Sequence, residues 1–492
     1  MDFSTGHGAF EMEEVTIGQI QEALRTDKIT CVELVQMYLD RIATFDKAGP
    51  KINSVLTINP NALEIAADLD KRVDKQGPLF GIPVLIKDNI ETKDPMPTTV
   101  GAIALKENYA HSDSWVAKKL RDAGAIILGK TNMSEWAYFM SISSPSGYSG
   151  LGGQVLNPYG PKDFPADRVG GSSSGSGAGI AANFAVVAIG TETSGSILSP
   201  SSANSIVGIK PTVGLISRTG IVPLALSQDT PGPMARTVTD AAITLGVLTG
   251  VDPTDAITTT SAKKTPIDYT NHLKWDGLKG ARIGIDYSYL SGKSEYSQER
   301  TRILEKAIEA MIAQGAIMED VTIPRVDMTP DVLFFEFKHH LNAYLRRTPN
   351  SVQVKSLEDV IKFNEEEPEA RMKYDQALLI ESQNKSNSLE DPVYIQQRAD
   401  DMKYSRELGI DKVMKEYQLD ALLFADNLGA ALAAKAGYPS ITVPAGYTSF
   451  GMPVGVTFTG LAFSESRLIE LAYSYEQHSK KRLAPHLTTY SK

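Results

Sequence analysis

An α/β fold built on a buried sheet is the architecture predicted by this 492-residue sequence, and three stretches carry the prediction. In the first, an apolar run at Ile82–Ile86 is followed by a capped helical pattern at Ser112–Gly124 and a second apolar run at Ala125–Gly129. Strand, helix, strand in that order is a β-α-β unit. The second, Ala178–Ile189, is almost wholly apolar and reads as a helix leading into a strand. The third lies near the C-terminus, where strand-like Ala421–Phe424, Ser440–Val443 and Val454–Thr459 precede a helical Glu465–Tyr475. The two kinds of signal alternate throughout and no internal repeat interrupts them. Residues 1–492 therefore read as one large α/β domain.

Taken in order, Thr16-Ile-Gly-Gln19 and Thr30-Cys-Val-Glu33 both fit the capping-box pattern. After the second, Cys31, Leu34, Val35, Tyr38, Ile42 and Phe45 form one apolar stripe. With a helix at Ala62–Val73, this makes 15–75 an N-terminal helical region. Ile82–Ile86 is continuously apolar, as in a strand buried on both faces, and Lys87 ends it. Asn132–Arg168 is rich in Ser, Gly, Pro and Tyr and reads as irregular. Val207–Lys210 and Gly214–Ile216 read as short strands, Gln228–Arg236 as a turn-rich segment, and Val238–Leu248 as a helix. Residues 252–278 are polar and suit a surface loop; Ala281–Ile285 is strand-like, and Gln298–Gln314 is an amphipathic helix with i,i+4 charge pairs. Residues 331–418 carry many charges and several helical patterns, which suits a helical insertion or lid.

Bulk properties narrow the function. The 42% hydrophobic and 22% charged composition is that of a globular protein. A net charge of −10 argues against nucleic acid or an anionic membrane as partner. No run approaches the roughly 18 apolar residues of a membrane span. The acidic opening, MDFSTGHGAFEMEEV, lacks the apolar core of a signal peptide, so a cytoplasmic location is expected. Cys31 is the sole cysteine and the seven histidines show no H-x-x-x-H spacing, so neither a metal nor another cofactor is expected.

Two Gly/Ser clusters frame the apolar segment: Gly170-Gly-Ser-Ser-Ser-Gly-Ser176 and Thr193-Ser-Gly-Ser196. A flexible linker would not be joined to a segment that must be buried, so both clusters fall at the ends of core elements, where loops carry function. Three readings of the serines compete. Gly171-Ser-Ser-Ser-Gly175 fits G-x-S-x-G with Ser173 at its centre, but a nucleophile elbow needs a buried strand before it, and Pro161–Val169 is polar with two prolines. Gly175-Ser-Gly-Ala-Gly179 approaches a dinucleotide loop but misses its spacing, and no Walker lysine follows. The third joins Lys87, Ser172 and Ser196. A lysine at the end of a buried strand either snorkels to solvent or stays buried with its ammonium disfavoured, becoming a base near neutral pH.

Here the residues resemble a known family, the amidase signature family. The matching segments are Gly-Ile-Pro-Val-Leu-Ile-Lys-Asp-Asn (81–89), the cluster 170–176, Gly-Thr-Glu-Thr-Ser-Gly-Ser-Ile (190–197), Gly-Ile-Lys-Pro-Thr (208–212) and Gly-Pro-Met-Ala-Arg-Thr-Val-Thr-Asp (232–240). Val443-Pro-Ala-Gly446 and Met452-Pro-Val-Gly455 also fit, and the resemblance runs from about 15 to 480. Within the family, Ser217–Arg236 looks most like bacterial peptide amidases. The resemblance implies a large mixed central sheet flanked by many helices and a metal-free Ser–cis-Ser–Lys triad. It makes Ser196 the nucleophile, Ser172, preceded by a cis peptide, the bridge, and Lys87 the base. Backbone N–H groups of Thr193, Ser194, Gly195 and Ser196 can then form an oxyanion hole.

The implied reaction turns a carboxamide into an acid and ammonia through an acyl-enzyme, with a small-molecule or peptide amide as substrate and the chain acting as monomer or homodimer. Many family members carry Gly-Gly-Ser-Ile-Arg at the nucleophile, whereas here Leu198 stands where arginine would. Leucine cannot pair with a substrate carboxylate, which favours amidated peptides over glutamine. The alternatives are a hydrolase of other small aliphatic or aryl amides and a glutamine-dependent amidotransferase chain of the A type. Ser173, Leu198, Phe334, Phe337 and Leu341 are the candidates for lining the substrate pocket.

Overall fold

The computed structural model describes residues 10–262, 264, 268–324 and 331–488. Residues 1–9 of the acidic opening, and positions 263 and 265–267 of the expected surface loop, lie outside the described residues. The strands are β1 (Val55–Ile58), β2 (Pro83–Lys87), β3 (Ile126–Thr131), β4 (Tyr148–Ser149), β5 (Gly153–Gln154), β6 (Val187–Glu192), β7 (Val207–Lys210), β8 (Thr230–Ala235), β9 (Arg282–Ile285), β10 (Ile317–Asp320), β11 (Ala421–Ala425), β12 (Ser440–Tyr447) and β13 (Pro453–Thr459). Eleven of them form one mixed sheet in the order β1-β3-β2-β6-β8-β7-β12-β13-β11-β9-β10, and β4 and β5 pair apart.

The sheet is parallel where helices cross over it. β3, β2 and β6 run parallel, as do β11, β9 and β10, while the strands between are antiparallel. Every residue of β2, β3 and β6 is buried, which accounts for their continuous apolar character. The helix Ser174–Ala181, all eight residues buried, leads through Phe184 and Ala185 into β6, as the apolar run predicts. Both N-terminal capping boxes form, at Thr16 and Thr30. The apolar core draws buried residues from Val15 through Tyr475, so the two ends of the described chain share it.

Two expectations are corrected. Gln228–Arg236 is not a turn-rich segment: its central residues form β8. Pro231 and Pro233 pair with Thr191 and Ile189 of β6, but β7 joins β8 only at Met234 and Ala235. The side on which proline lacks an N–H is thus the side with no strand partner. Gly214–Ile216 is not a strand; Leu215 N–H closes a turn onto the Thr212 carbonyl, and Gly214 has φ +92°. β1, β10 and the helix Leu198–Ala203 carry too short an apolar signal to be read from sequence.

The region 331–418 is helical, with helices at Asp331–Arg346, Leu357–Glu366, Ala377–Gln383 and Pro392–Met402. Among the described residues no helix is long and apolar enough to cross a membrane, and no group of His, Cys, Asp and Glu is placed to hold a metal ion.

Close packing along β8 gives a stability prediction. A Cβ added to Gly232 would lie 2.1 Å from the Ile209 carbonyl oxygen, a backbone atom with little freedom to yield. Gly232→Ala is expected to destabilise the protein by at least ~1–3 kcal/mol, the usual cost of overpacking. Urea denaturation checks it; an unchanged midpoint would contradict this packing.

Candidate active site

Lys87 is the last residue of β2, and Thr191 and Glu192 end the neighbouring parallel strand β6. The carboxyl ends of parallel strands in an open α/β sheet are where ligands bind. Burial along the strand carries Lys87 to complete exclusion from solvent. Its Nζ lies 2.8 Å from Ser172 Oγ, 3.0 Å from Thr191 Oγ1 and 3.1 Å from the Thr191 carbonyl oxygen. Desolvation pushes the ammonium down to about 7, against the opposing pull of Asp229 and Glu192. Asn89 fixes the other side of Thr191, donating from Nδ2 to Oγ1 at 2.9 Å.

Ser172 is fully buried, and the Gly171–Ser172 peptide bond is cis. Its carbonyl accepts from Ser134 N–H at 3.1 Å. The next residue ties the two serine loops together: Ser173 N–H donates to the Ser196 carbonyl at 3.1 Å, and Ser173 Oγ donates to the Thr191 carbonyl at 3.1 Å. Ser173 is thereby held as a strut between the loops, its side chain turned to β6. Lys87, Ser172 and the Ser196 loop are brought together, though they are far apart in sequence.

The loop after β6 is shaped by Glu192, whose role the sequence did not single out. Glu192 Oε1 accepts from Gly195 N–H at 2.7 Å, and Oε2 accepts from Ile197 N–H at 2.7 Å and Leu198 N–H at 3.0 Å. Gly195 takes φ +85°, a turn that favours glycine. This corrects one expectation: the Gly195 N–H is engaged by Glu192 and is not free to face an oxyanion. Among the described residues nothing accepts from the N–H groups of Thr193, Ser194 or Ser196. Ser196 is 7% exposed, the one serine of the pair that solvent reaches. The Thr193 hydroxyl donates to Asp229, whose other oxygen accepts from Leu224 and Ala225 N–H.

In Glu192→Gln, one carboxylate oxygen becomes an NH2 facing N–H donors. A drop of ~1–3 kcal/mol in stability is expected, the cost of leaving buried groups unpaired. Thermal unfolding checks it; an unchanged melting temperature would contradict this reading of the loop.

The remaining pocket candidates are all buried. Leu198 is buried at the start of its short helix. Phe334, Phe337 and Leu341 are at most 2% exposed, in a cluster with Trp136, Phe139 and Tyr344. The Phe337 ring meets Phe139 at 5.2 Å and Trp136 edge-on at 6.3 Å. The small cavity beside Thr191 and Thr193 is instead lined by Asn89, Ala137, Ile221, Val222 and Leu224. Packing into a core was legible in the spacing of Phe334, Phe337 and Leu341 along one helix face; facing a cavity was not.

A serine hydrogen-bonded to a buried lysine thus sits at the ends of parallel strands on a large mixed α/β sheet. The chain belongs to the amidase family, whose model matches residues 33–469. It is similar in structure to the peptide amidase from Stenotrophomonas maltophilia, with 40% identity, a TM-score of 0.90, and coverage of 97% of this chain and 100% of that one. A probable amidase of Arabidopsis thaliana is 40% identical over 97% of this chain and 92% of its own length. The A-type chain of the glutamyl-tRNA(Gln) amidotransferase of Halorhodospira halophila is 37% identical, over 64% of this chain and 62% of its own. The protein is an amidase, a hydrolase of the amide carbon–nitrogen bond.

Proposed function

We propose that Ser196, Ser172 and Lys87 form the catalytic triad and that C-terminally amidated peptides are the substrates. The observation that carries the triad is the 2.8 Å contact between Ser172 Oγ and the Nζ of Lys87, whose ammonium burial pushes down to about 7. A neutral lysine amine has two N–H bonds and one lone pair. The Thr191 carbonyl and hydroxyl oxygens take the two N–H bonds, and the lone pair faces Ser172 Oγ. Ser172 then passes its proton to Lys87 and accepts that of Ser196, whose oxygen attacks the amide carbonyl. The negative charge on the carbonyl oxygen is met by free N–H groups among Thr193, Ser194 and Ser196. The proton on Lys87 returns through Ser172 to the leaving nitrogen, and ammonia departs. Water, deprotonated by the same relay, cleaves the Ser196 ester. The balance is R–CO–NH2 plus H2O giving R–COOH plus NH3.

Two features support the peptide-amide reading. The chain is 40% identical to the Stenotrophomonas enzyme over nearly its whole length, whereas a solved amidotransferase A chain that it also matches over 98% of its length is only 25% identical. Leu198 also stands where many members of the family carry an arginine that could pair with the carboxylate of free glutamine. The test is ammonia release by the isolated chain from amidated dipeptides, simple aliphatic and aryl amides, and glutamine. The expected result is highest kcat/KM on amidated dipeptides. Activity on glutamine alone, or only when the other chains of an amidotransferase are added, would replace this reading with the amidotransferase one.

A further inference from the structure

A second polar cavity, of about 160 Å³, lies against the nucleophile loop, with Arg168, Ser199, Tyr296, Arg300, Asp426 and Asn427 in its wall. That volume is several times the ~30 Å³ share of one water, enough for a small organic ion. It abuts the catalytic loops at two points. Gly170, two residues before Ser172, also lines it. Ser199 N–H donates to the Gly195 carbonyl at 2.7 Å, and Asn427 Nδ2 is 3.1 Å from where a Cβ on Gly195 would stand.

The arginines are what mark it. Their guanidinium carbons lie 4.9 Å (Arg168) and 5.8 Å (Arg300) from the centre of the Tyr296 ring, so one aromatic side chain holds both cations at the cavity. Arg300 is 12% exposed, and its Nε is buried without a hydrogen-bond partner. Its only ion pair among the described residues is a long one, 3.9 Å from Nη1 to Asp426. Asp426 is already engaged: Oδ1 accepts from Gly455 N–H at 2.9 Å and Oδ2 from Tyr296 O–H at 3.1 Å. Asp167 also lines the cavity but is itself exposed. A guanidinium presents five donors in a rigid fork, and buried donors are as a rule paired. Two forks over one ring, largely unused by the protein, match the two oxygens of a carboxylate.

We propose that this cavity binds a small carboxylate next to the catalytic centre. The carboxylate is either an acidic group on the substrate or a free acid. The first source rests on the amidase reading above; binding itself does not. The experiment titrates succinate into the full chain by calorimetry, and compares KM for N-succinylglycinamide with that for N-acetylglycinamide. Succinate is expected to bind the wild type and to bind at least ~10-fold more weakly in Arg300→Met and in Arg168→Ala, the latter at an exposed residue whose loss spares the fold. A lower KM for the succinyl amide that is lost in Arg168→Ala assigns the substrate as source. Equal KM values with succinate bound assign the free acid. The proposal is overturned if succinate does not bind the wild type, or binds both variants as tightly. Calorimetry reads binding without turnover, so this failure is distinct from failure of the amidase reading, in which the wild type hydrolyses neither amide.

Discussion

Ser196→Ala is expected to lower kcat for amide hydrolysis by at least ~10⁴-fold while leaving the fold intact. Loss of an acylating serine removes the covalent route, and what survives is binding and oxyanion stabilisation alone. Ser196 is 7% exposed, and no hydrogen bond of its hydroxyl is found among the described residues, so its removal leaves no buried partner unpaired. The melting temperature should stay within a degree or two of wild type, in contrast with Glu192→Gln. Ammonia release under saturating amide checks the first part and thermal unfolding the second. Retention of more than a tenth of the activity would contradict the assignment of Ser196.

Lys87→Met is expected to lower kcat/KM by ~10³-fold or more, combining loss of the general base with loss of the group that orients Ser172. The wild-type pH profile carries the complementary signature. Burial depresses the Lys87 ammonium to about 7, and only the neutral amine can accept a proton. The active fraction is therefore half at that pH, falls about tenfold per unit below it, and levels off above it. The profile should be a rising limb centred near pH 7, and Lys87→Met should lose that limb together with the rate. Histidine also titrates near neutrality. Among the described residues no histidine partners Lys87, Ser172 or Ser173, so the limb is assigned to Lys87. A flat profile between pH 5 and 9 in the wild type would contradict a lysine base.

The parts of this fold legible in the sequence are those whose signal is local. β2 and β6 announce themselves as unbroken apolar runs because helices and neighbouring strands cover both faces. The N-terminal helices announce themselves through Thr16 and Thr30, whose side chains close the caps. β8 does not, because its two prolines look like turn residues until the missing partner on one side is known. Lys87 stands out at the end of a run that must be buried, whereas Ser172 and Ser196 are singled out among the serines of their loops only by the resemblance to the amidase signature family. Glu192 could not be singled out, since a lone acidic residue in a Gly/Ser loop reads as solvated; only the folded loop turns three N–H groups onto its carboxylate. The same blindness put Gly195 into the oxyanion hole. Backbone donors are equivalent in a sequence, and only geometry says which are already spent.

Phe337 separates two roles that its sequence position left merged. Its ring is 1% exposed among Trp136, Phe139 and Phe334, so Phe337→Ala should cost ~3–5 kcal/mol of stability. Denaturant unfolding checks this. A stable variant with only a raised KM would return Phe337 to the substrate pocket.

The most direct test of the triad is to look for its covalent intermediate. The full chain is quenched in acid during steady-state turnover of an amidated dipeptide, digested, and read by mass spectrometry. The account predicts an acyl group on the peptide carrying Ser196, absent in Ser196→Ala and absent from the peptide carrying Ser172. Acylation of Ser172 or of Lys87 in the wild type, with Ser196 unmodified, would contradict it.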